Sequence, residues 1–298
     1  MPSHASPAVS VRETTLTWSF PPHVGPWTLR GTSRSAHATS YAIPELAWGV
    51  DAGAVVYQRR PDWMFLTHTH SDHTSMLTQH KSRRKPPTFV LPAHAAPLVD
   101  AYLDAAQILT ASQPKPPGFE WTPAYTLHGV VPGDRVSIRR GGQRYVVDVI
   151  GCDHSVPCVG YLFSRRHPKL KPVYQGCSGA ELGALRQDGV EITEDVETPL
   201  FAFLGDTTPK VYQQHPELLD YPVIVGECTF LDPVHRDDAW ARKHTHWDDL
   251  RPIIVDHPQT TFVVTHFSLR YRSAQIRSFF DADPLPNVVP WIAAEDVR

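Results

Sequence analysis

The sequence has no apolar run long enough to cross a bilayer, so no membrane-spanning helix is expected. Net charge is also nearly absent. The 28 Lys and Arg and 31 Asp and Glu leave a formal charge of -3, so the chain is not globally basic. Any contact with nucleic acid must come from a local patch. Cysteine is scarce: Cys152, Cys158, Cys177 and Cys228 form no C-x-x-C pair and no disulfide-like framework, which fits a reducing, cytoplasmic setting. Cys152 and Cys158 read as small buried filler. The first ten residues lack a basic segment followed by an apolar one, so no signal peptide is expected. Internal repeats, low-complexity tracts and a clear linker are missing too. One domain over residues 1–298 is therefore expected, with 1–12 small, polar and loose.

Proline, by contrast, is plentiful, with 29 scattered through the chain, which implies many short elements rather than long helices. Histidine is concentrated. Met64-Phe65-Leu66 reads as a buried strand, and Thr67-His68-Thr69-His70-Ser71-Asp72-His73 follows at once. Residues i and i+2 of extended chain point to one side, so His68 and His70 can grip one cation, and the next turn can swing Asp72 and His73 toward a second. Imidazole with carboxylate suits zinc, and also manganese or iron. A polar turn after a strand is the plainer reading, but three histidines at this spacing beside an aspartate make it a poor one.

The pattern recurs in kind. Short apolar strands at Leu46–Val50, Tyr145–Ile150, Phe201–Leu204, Pro222–Val225 and Thr261–Val264 are followed by Asp51, Asp153-His154, Asp206, Glu227 and His266. One such case is commonplace. The series, always at the C-terminal end, points to one site lined by strand ends. Strands are also expected at Leu16–Phe20, Trp27–Arg30 and Phe89–Leu91, with a polar loop from Gly31 to about Ser40. Helices are expected over Thr74–Lys85, ending in Lys81, Arg83, Arg84 and Lys85, and over Ala93–Leu109, with Leu98, Tyr102, Leu103 and Ala106 at helical spacing.

His68-Thr-His-Ser-Asp-His73 resembles the HxHxDH signature of the metallo-β-lactamase superfamily. Gly31-Thr-Ser33, Asp51-Ala-Gly53, Asp153-His-Ser-Val-Pro157, Phe203-Leu-Gly-Asp-Thr-Thr208, Glu227-Cys-Thr-Phe230 and Thr265-His-Phe-Ser-Leu-Arg-Tyr271 follow the order of its ribonuclease Z branch, the tRNA 3′-end endonucleases. The resemblance runs from about Gly31 to Tyr271. It implies an α+β fold, a four-layer αββα sandwich of two mixed sheets. It implies two zinc ions, one on His68, His70 and His154, the other on Asp72, His73 and His266, with Asp206 bridging. Two such cations lower the pKa of a shared water and neutralise a phosphodiester, and Asp72 can orient or deprotonate that water. The branch has a His-Ser-Thr stretch before its last ligand. Here His244-Thr-His-Trp-Asp248 occupies that region. His246 is taken as the proton donor with Glu227 hydrogen-bonded to its ring, and His244 is the alternative. On that register Trp247-Asp248 replaces Ser-Thr. Arg270-Tyr271 would buttress the site, and two chains would pair as a homodimer.

Substrate is less determined. A phosphodiester, in RNA or in a small molecule, is the leading expectation. The same metals could instead serve a cyclic nucleotide, sulfate ester or lactone, and a non-catalytic binding protein on this fold is the remote reading. The branch also carries a basic arm with a Gly-Pro motif that clamps tRNA. The corresponding segment, Ser164–Pro199, has Arg165, Arg166, Lys169 and Lys171 but then Glu181, Asp188, Glu191, Glu194, Asp195 and Glu197, and no Gly-Pro pair. RNA affinity comes largely from counterion release at neutralised phosphates, so this reduced arm predicts weak processing of precursor tRNA.

Overall fold

Short apolar strands bounded by proline, glycine and polar turns assemble into two seven-stranded sheets. The computed structural model describes residues 15–57 and 60–292, and the end 1–12, expected to be loose, lies outside them. The first sheet runs in chain order: β1 (Leu16–Ser19), β2 (Thr28–Arg34), β3 (Ala38–Ile43), β4 (Trp48–Val50), β5 (Trp63–Phe65), β6 (Thr88–Pro92) and β7 (Thr126–Val130). The second is β8 (Arg135–Arg140), β9 (Gln143–Cys152), β10 (Cys158–Leu170), β11 (Thr193–Phe203), β12 (Val223–Glu227), β13 (Thr261–Thr265) and β14 (Val288–Pro290), also in order. Each sheet has three antiparallel pairings followed by three parallel ones.

The inner faces meet in an aromatic core. Trp48 and Phe65 of the first sheet pack on Phe163 of the second at ring separations of 5.3 and 4.9 Å, and Tyr41 meets Phe203 at 5.4 Å. Full burial of a side chain of this size contributes roughly 1.5–3 kcal/mol. The outer faces are covered by helices. On the first sheet, Val99 and Leu103 of α2 (Ala96–Ala111) lie with Met64, Leu66, Phe89 and Leu91. On the second, α4 (Lys210–Gln214), α6 (Trp247–Asp256) and α7 (Ser273–Ala282) bring Val211, Leu250, Ile254, Ile276 and Phe280 onto Leu162, Ile224, Phe262 and Val264. α1 (Ser71–Thr74), α3 (Gly179–Gln187) and α5 (Arg236–Arg242) are the other helices among the described residues. This is the αββα metallo-β-lactamase sandwich. No helix among the described residues is long and apolar enough to cross a membrane.

Three local expectations need correction. Thr74–Lys85 is not one helix: α1 is a single turn, and a 3-10 turn at Leu77–His80 follows. The Met76 N–H donates to Ala52 O and Ser82 N–H to Ala124 O, which draws the chain onto the first sheet. Gly31-Thr-Ser33 is strand, not loop. Ser33, Thr39 and Ser40 are buried between β2 and β3, where the Ser33 and Thr39 hydroxyls satisfy each other at 3.1 Å. On α2 the buried apolar residues are Val99 and Leu103, while Leu98 and Tyr102 face out.

The segment Ser164–Pro199 is largely a continuation of the β10–β11 pair, from Ser164–Pro199 to Leu170–Thr193, capped by α3 at its tip. Two of its cations, Arg166 and Lys171, are paired locally. Arg166 and Arg144 both bind Asp195, and Lys171 lies 4.0 Å from Glu191.

Glycine at two positions allows the strand ends to converge. A Cβ on Gly205 would lie 2.4 Å from Cys158 Sγ and 2.8 Å from Thr67 Cβ. On Gly53 it would lie 1.8 Å from the carbonyl oxygen of Asp72. Gly53→Ala must therefore part the β4 turn from α1. The expected loss is at least about 1–3 kcal/mol, as for other overpacking changes, read as a lower denaturant midpoint at unchanged slope. An unchanged midpoint would show that the two segments separate freely.

Candidate metal centre and active site

The functional side chains sit at the C-terminal ends of β4, β5, β9, β11, β12 and β13. In parallel sheets this is where chain leaves the ladder and backbone groups are free to be re-aimed. Seven side chains converge there. Ligand-type atoms of His68, His70, His154 and Asp206 lie within 4.8 Å of one another, and so do those of Asp72, His73 and His266. Asp206 stands between the groups. Its Oδ2 is 3.7 Å from His68 Nε2, 3.9 Å from His154 Nε2 and 3.4 Å from His266 Nε2, and its Oδ1 is 3.5 Å from His73 Nε2.

Each imidazole but that of His70 is oriented from behind. His73 Nδ1–H donates to Asp51 Oδ2 at 2.7 Å, His68 Nδ1–H to Thr67 Oγ1 at 3.0 Å, His154 Nδ1–H to Lys243 O at 3.0 Å, and His266 Nδ1–H to Thr229 Oγ1 at 3.0 Å. Those partners fix the tautomer and turn the Nε2 lone pairs inward. Lone pairs then face one another. His154 Nε2 is 3.2 Å from His70 Nδ1, and His73 Nε2 is 3.4 Å from His266 Nε2. His68 Nε2 is buried with no hydrogen-bond partner among the described residues. Converging acceptors and an orphaned nitrogen are what a metal site requires, so the residues fit cations in both groups.

Electrostatics agree. Burial, reinforced by His73, pushes the pKa of His68 well below the ordinary value, and burial lowers those of His70 and His154. These imidazoles therefore stay neutral. Burial alone would raise Asp206, but the His266, His73 and His68 rings hold it well below the usual carboxylate range. Asp72 is likewise held down by His266 and His73 against its burial. Neutral imidazole with ionised carboxylate is the protonation state a cation binds. His73 departs from it, because Asp206 and Asp51 outweigh its burial and hold its pKa well above the ordinary value, so a cation there must displace a proton.

Asp51 underlies this arrangement. Beyond His73, its Oδ1 accepts from Thr67 N–H at 2.8 Å, and its carboxylate accepts from the Thr67 hydroxyl that receives His68. It occupies the left-handed region at φ 56°, which aspartate tolerates better than most residues. Asp72 Oδ2 accepts from Ala36 N–H in the β2–β3 turn at 2.8 Å. Arg34 ties that turn to the loop after β13 through the carbonyls of Phe267, Ser268 and Tyr271.

Glu227 hydrogen-bonds His244, not His246. His244 Nδ1 is 2.7 Å from Glu227 Oε1, while Glu227 Oε2 accepts from Thr229 Oγ1 at 2.6 Å and from Thr245 N–H at 3.2 Å. Burial works against the charged His244 ring, but Glu227 raises its pKa to about 9. His246 is turned away. Its Nδ1 accepts from Asp248 N–H at 3.1 Å and caps α6, and its Nε2 donates to Asp232 O at 2.9 Å, so both nitrogens are committed. The structure therefore brings the alternative, His244, to Glu227 rather than His246. Trp247 packs at 5.0 Å on Phe280, away from the site. Tyr271 does act as a buttress: its hydroxyl accepts from Leu231 and Asp232 N–H, and Arg270 lies over the Phe230 ring. A cavity of about 460 Å³ opens over Asp72, Asp206, His244 and His266, with Arg242 and Arg270 in its wall.

Since Asp51 orients one imidazole directly and another through Thr67, Asp51→Ala is expected to weaken zinc binding by about 10–100-fold, the usual effect of removing an outer partner. Calorimetric titration of zinc into chelator-treated protein reads this, and an unaltered isotherm would show the rings are held by packing alone.

No family model matches the chain. It is 30% identical to tRNase Z TRZ1 of Arabidopsis thaliana over 271 residues, covering 87% of this chain and 91% of that one. Human tRNase Z, short form, superposes with a TM-score of 0.54 at 17% identity, covering 81% of this chain and 92% of that chain. The metallo-β-lactamase-fold protein YhfI of Bacillus subtilis gives 0.53 at 12% identity, covering 89% and 95%. The structural likenesses speak to fold, and the sequence likeness to lineage: the chain belongs to the tRNase Z family of metal-dependent hydrolases.

Proposed function

We propose that the protein is a dinuclear zinc phosphodiesterase that cleaves precursor tRNA. The observation that carries the chemistry is the convergence of two ligand groups on a shared, buried Asp206. In this reading His68, His70 and His154 hold one zinc, Asp72, His73 and His266 the other, and Asp206 both; manganese or iron would satisfy the same donors. Such a pair activates water at neutral pH and offsets the charge of a phosphodiester. The protein's own groups do the rest. Asp72, held through Oδ2 by Ala36, accepts a proton from the attacking water. His244, its Nδ1 engaged by Glu227, donates a proton to the leaving alkoxide. Arg242 in the cavity wall attracts the anionic substrate, while Arg270 beside it is paired with Asp238 at 2.7 Å.

RNA as substrate rests on the relatives. The match to the Arabidopsis tRNase Z extends over most of both chains, and the substrate in that relative's name supports the same substrate class here. A second reading, small phosphodiesters only, is favoured by the internal ion pairs of the β10–β11 extension, which leave fewer free cations for phosphate. We also propose a homodimer, on the family resemblance alone, for which light scattering should return twice 33.4 kDa.

Two measurements test these assignments. His244→Ala is expected to retain its zinc and lose turnover about a hundredfold or more on an RNA substrate, with a much smaller loss on a p-nitrophenyl diester that needs no acid. His246→Ala should cost about 1 kcal/mol of stability through the lost cap and leave turnover nearly unchanged; the opposite pattern would reinstate His246 as donor. Turnover on precursor tRNA, bis(p-nitrophenyl) phosphate and a lactone should show the first two. Diester hydrolysis without tRNA cleavage would select the second reading, and lactone hydrolysis alone would reject both.

A further inference from the structure

α5 ends in a turn whose geometry is ordinarily served by glycine. Lys243 N–H donates to Trp240 O and His244 N–H to Ala239 O, the paired bonds of a helix-ending motif that needs a left-handed residue. That residue is Lys243, at φ 55° and ψ 54°. A lysine in this conformation is strained, so its side chain should be doing something glycine cannot.

The Lys243 side chain is half exposed, but its ammonium folds back onto the His154 loop. Its Nζ donates to His154 O at 3.2 Å and lies 2.9 Å from Asp153 Oδ1. Its carbonyl accepts from His154 Nδ1–H at 3.0 Å. The residue thus holds His154 from both sides, ring and backbone. Asp153 carries the hold further. Its Oδ2 accepts from Thr208 Oγ1 at 2.9 Å, its O from Thr208 N–H at 3.1 Å, and its N–H donates to Thr207 Oγ1 at 3.0 Å, so it is tied to the loop of Asp206. On its other side Lys243 is followed directly by His244, whose ring lies 5.0 Å from that of His154.

We propose that Lys243 is a positioning residue that locks the His154 loop to the loops of Asp206 and His244, so that metal ligand and proton donor keep one spacing. The ammonium acts through Asp153 and the His154 carbonyl, while the backbone carbonyl sets the imidazole tautomer. The proposal rests on His154 holding a metal.

The test is zinc titration into chelator-treated wild type, Lys243→Gly, Asp153→Asn and the double variant, with thermal melting of each apo form. Lys243→Gly keeps the carbonyl and relieves the left-handed strain, so its apo melting temperature should equal or exceed that of wild type. Its zinc affinity should nevertheless fall about 10–100-fold, and Asp153→Asn should fall alongside, with the double variant no weaker than the worse single one. Unchanged affinity in Lys243→Gly overturns the proposal, whether or not melting falls, since a lower melting temperature alone marks a merely structural contact. Additive losses also overturn it, because the two residues would then act separately. A wild type that takes up no zinc would instead defeat the metal reading beneath it.

Discussion

The structure depends on keeping one ionised carboxylate, that of Asp206, in a place almost without water. A buried charge of this kind costs several kcal/mol unless positive or polar partners surround it. Here the charged partner is His73 of α1, whose pKa Asp206 and Asp51 hold well above the ordinary value. The rings of His68, His154 and His266 close in from the loop after β5 and the ends of β9 and β13, with the outer nitrogens of all four anchored on Asp51, Thr67, Lys243 and Thr229. Every strand that feeds the site is fixed in length and angle by the aromatic core between the sheets. Packing places the strand ends, the ends place the anchors, and the anchors turn lone pairs inward.

Much of this was legible in the sequence, for stated reasons. Period-two burial and proline-bounded apolar runs mark strands wherever one face is buried, and a polar residue closing each run marks the edge of the sandwich that faces the site. The His68–His73 cluster stood out because its spacing in extended chain is itself a geometric statement. The second half of strand Thr28–Arg34 was hidden, since Gly31-Thr-Ser33 looks polar while its burial is supplied by cross-strand hydroxyl pairing. The Thr74–Lys85 helix failed because tertiary bonds from Met76 and Ser82 took the backbone groups that a helix would have used.

The His244–His246 ambiguity had another origin. Two histidines two residues apart before a helix satisfy the same local pattern, and only the partner across the fold decides between them. Glu227 is 17 residues from His244, and its two oxygens are divided among Thr207, Thr229, His244 and Thr245. Lys243 left no signal at all. Its left-handed conformation is a property of where α5 stops, and its use lies in contacts 89 residues away.

The two sheets share one plan, antiparallel pairs first and parallel pairs after, and the site draws from both. His73 and His266 face each other across 193 residues of chain. Bringing such distant points together costs an unfolded chain about 5 kcal/mol in closure entropy. All four cysteines are free, so no covalent bond shares that cost. A cation gripped by Asp72, His73 and His266 would therefore do for this chain what a long-range disulfide does for a secreted one. It would staple the first half to the second, and chelation would loosen the sandwich along the seam between its halves.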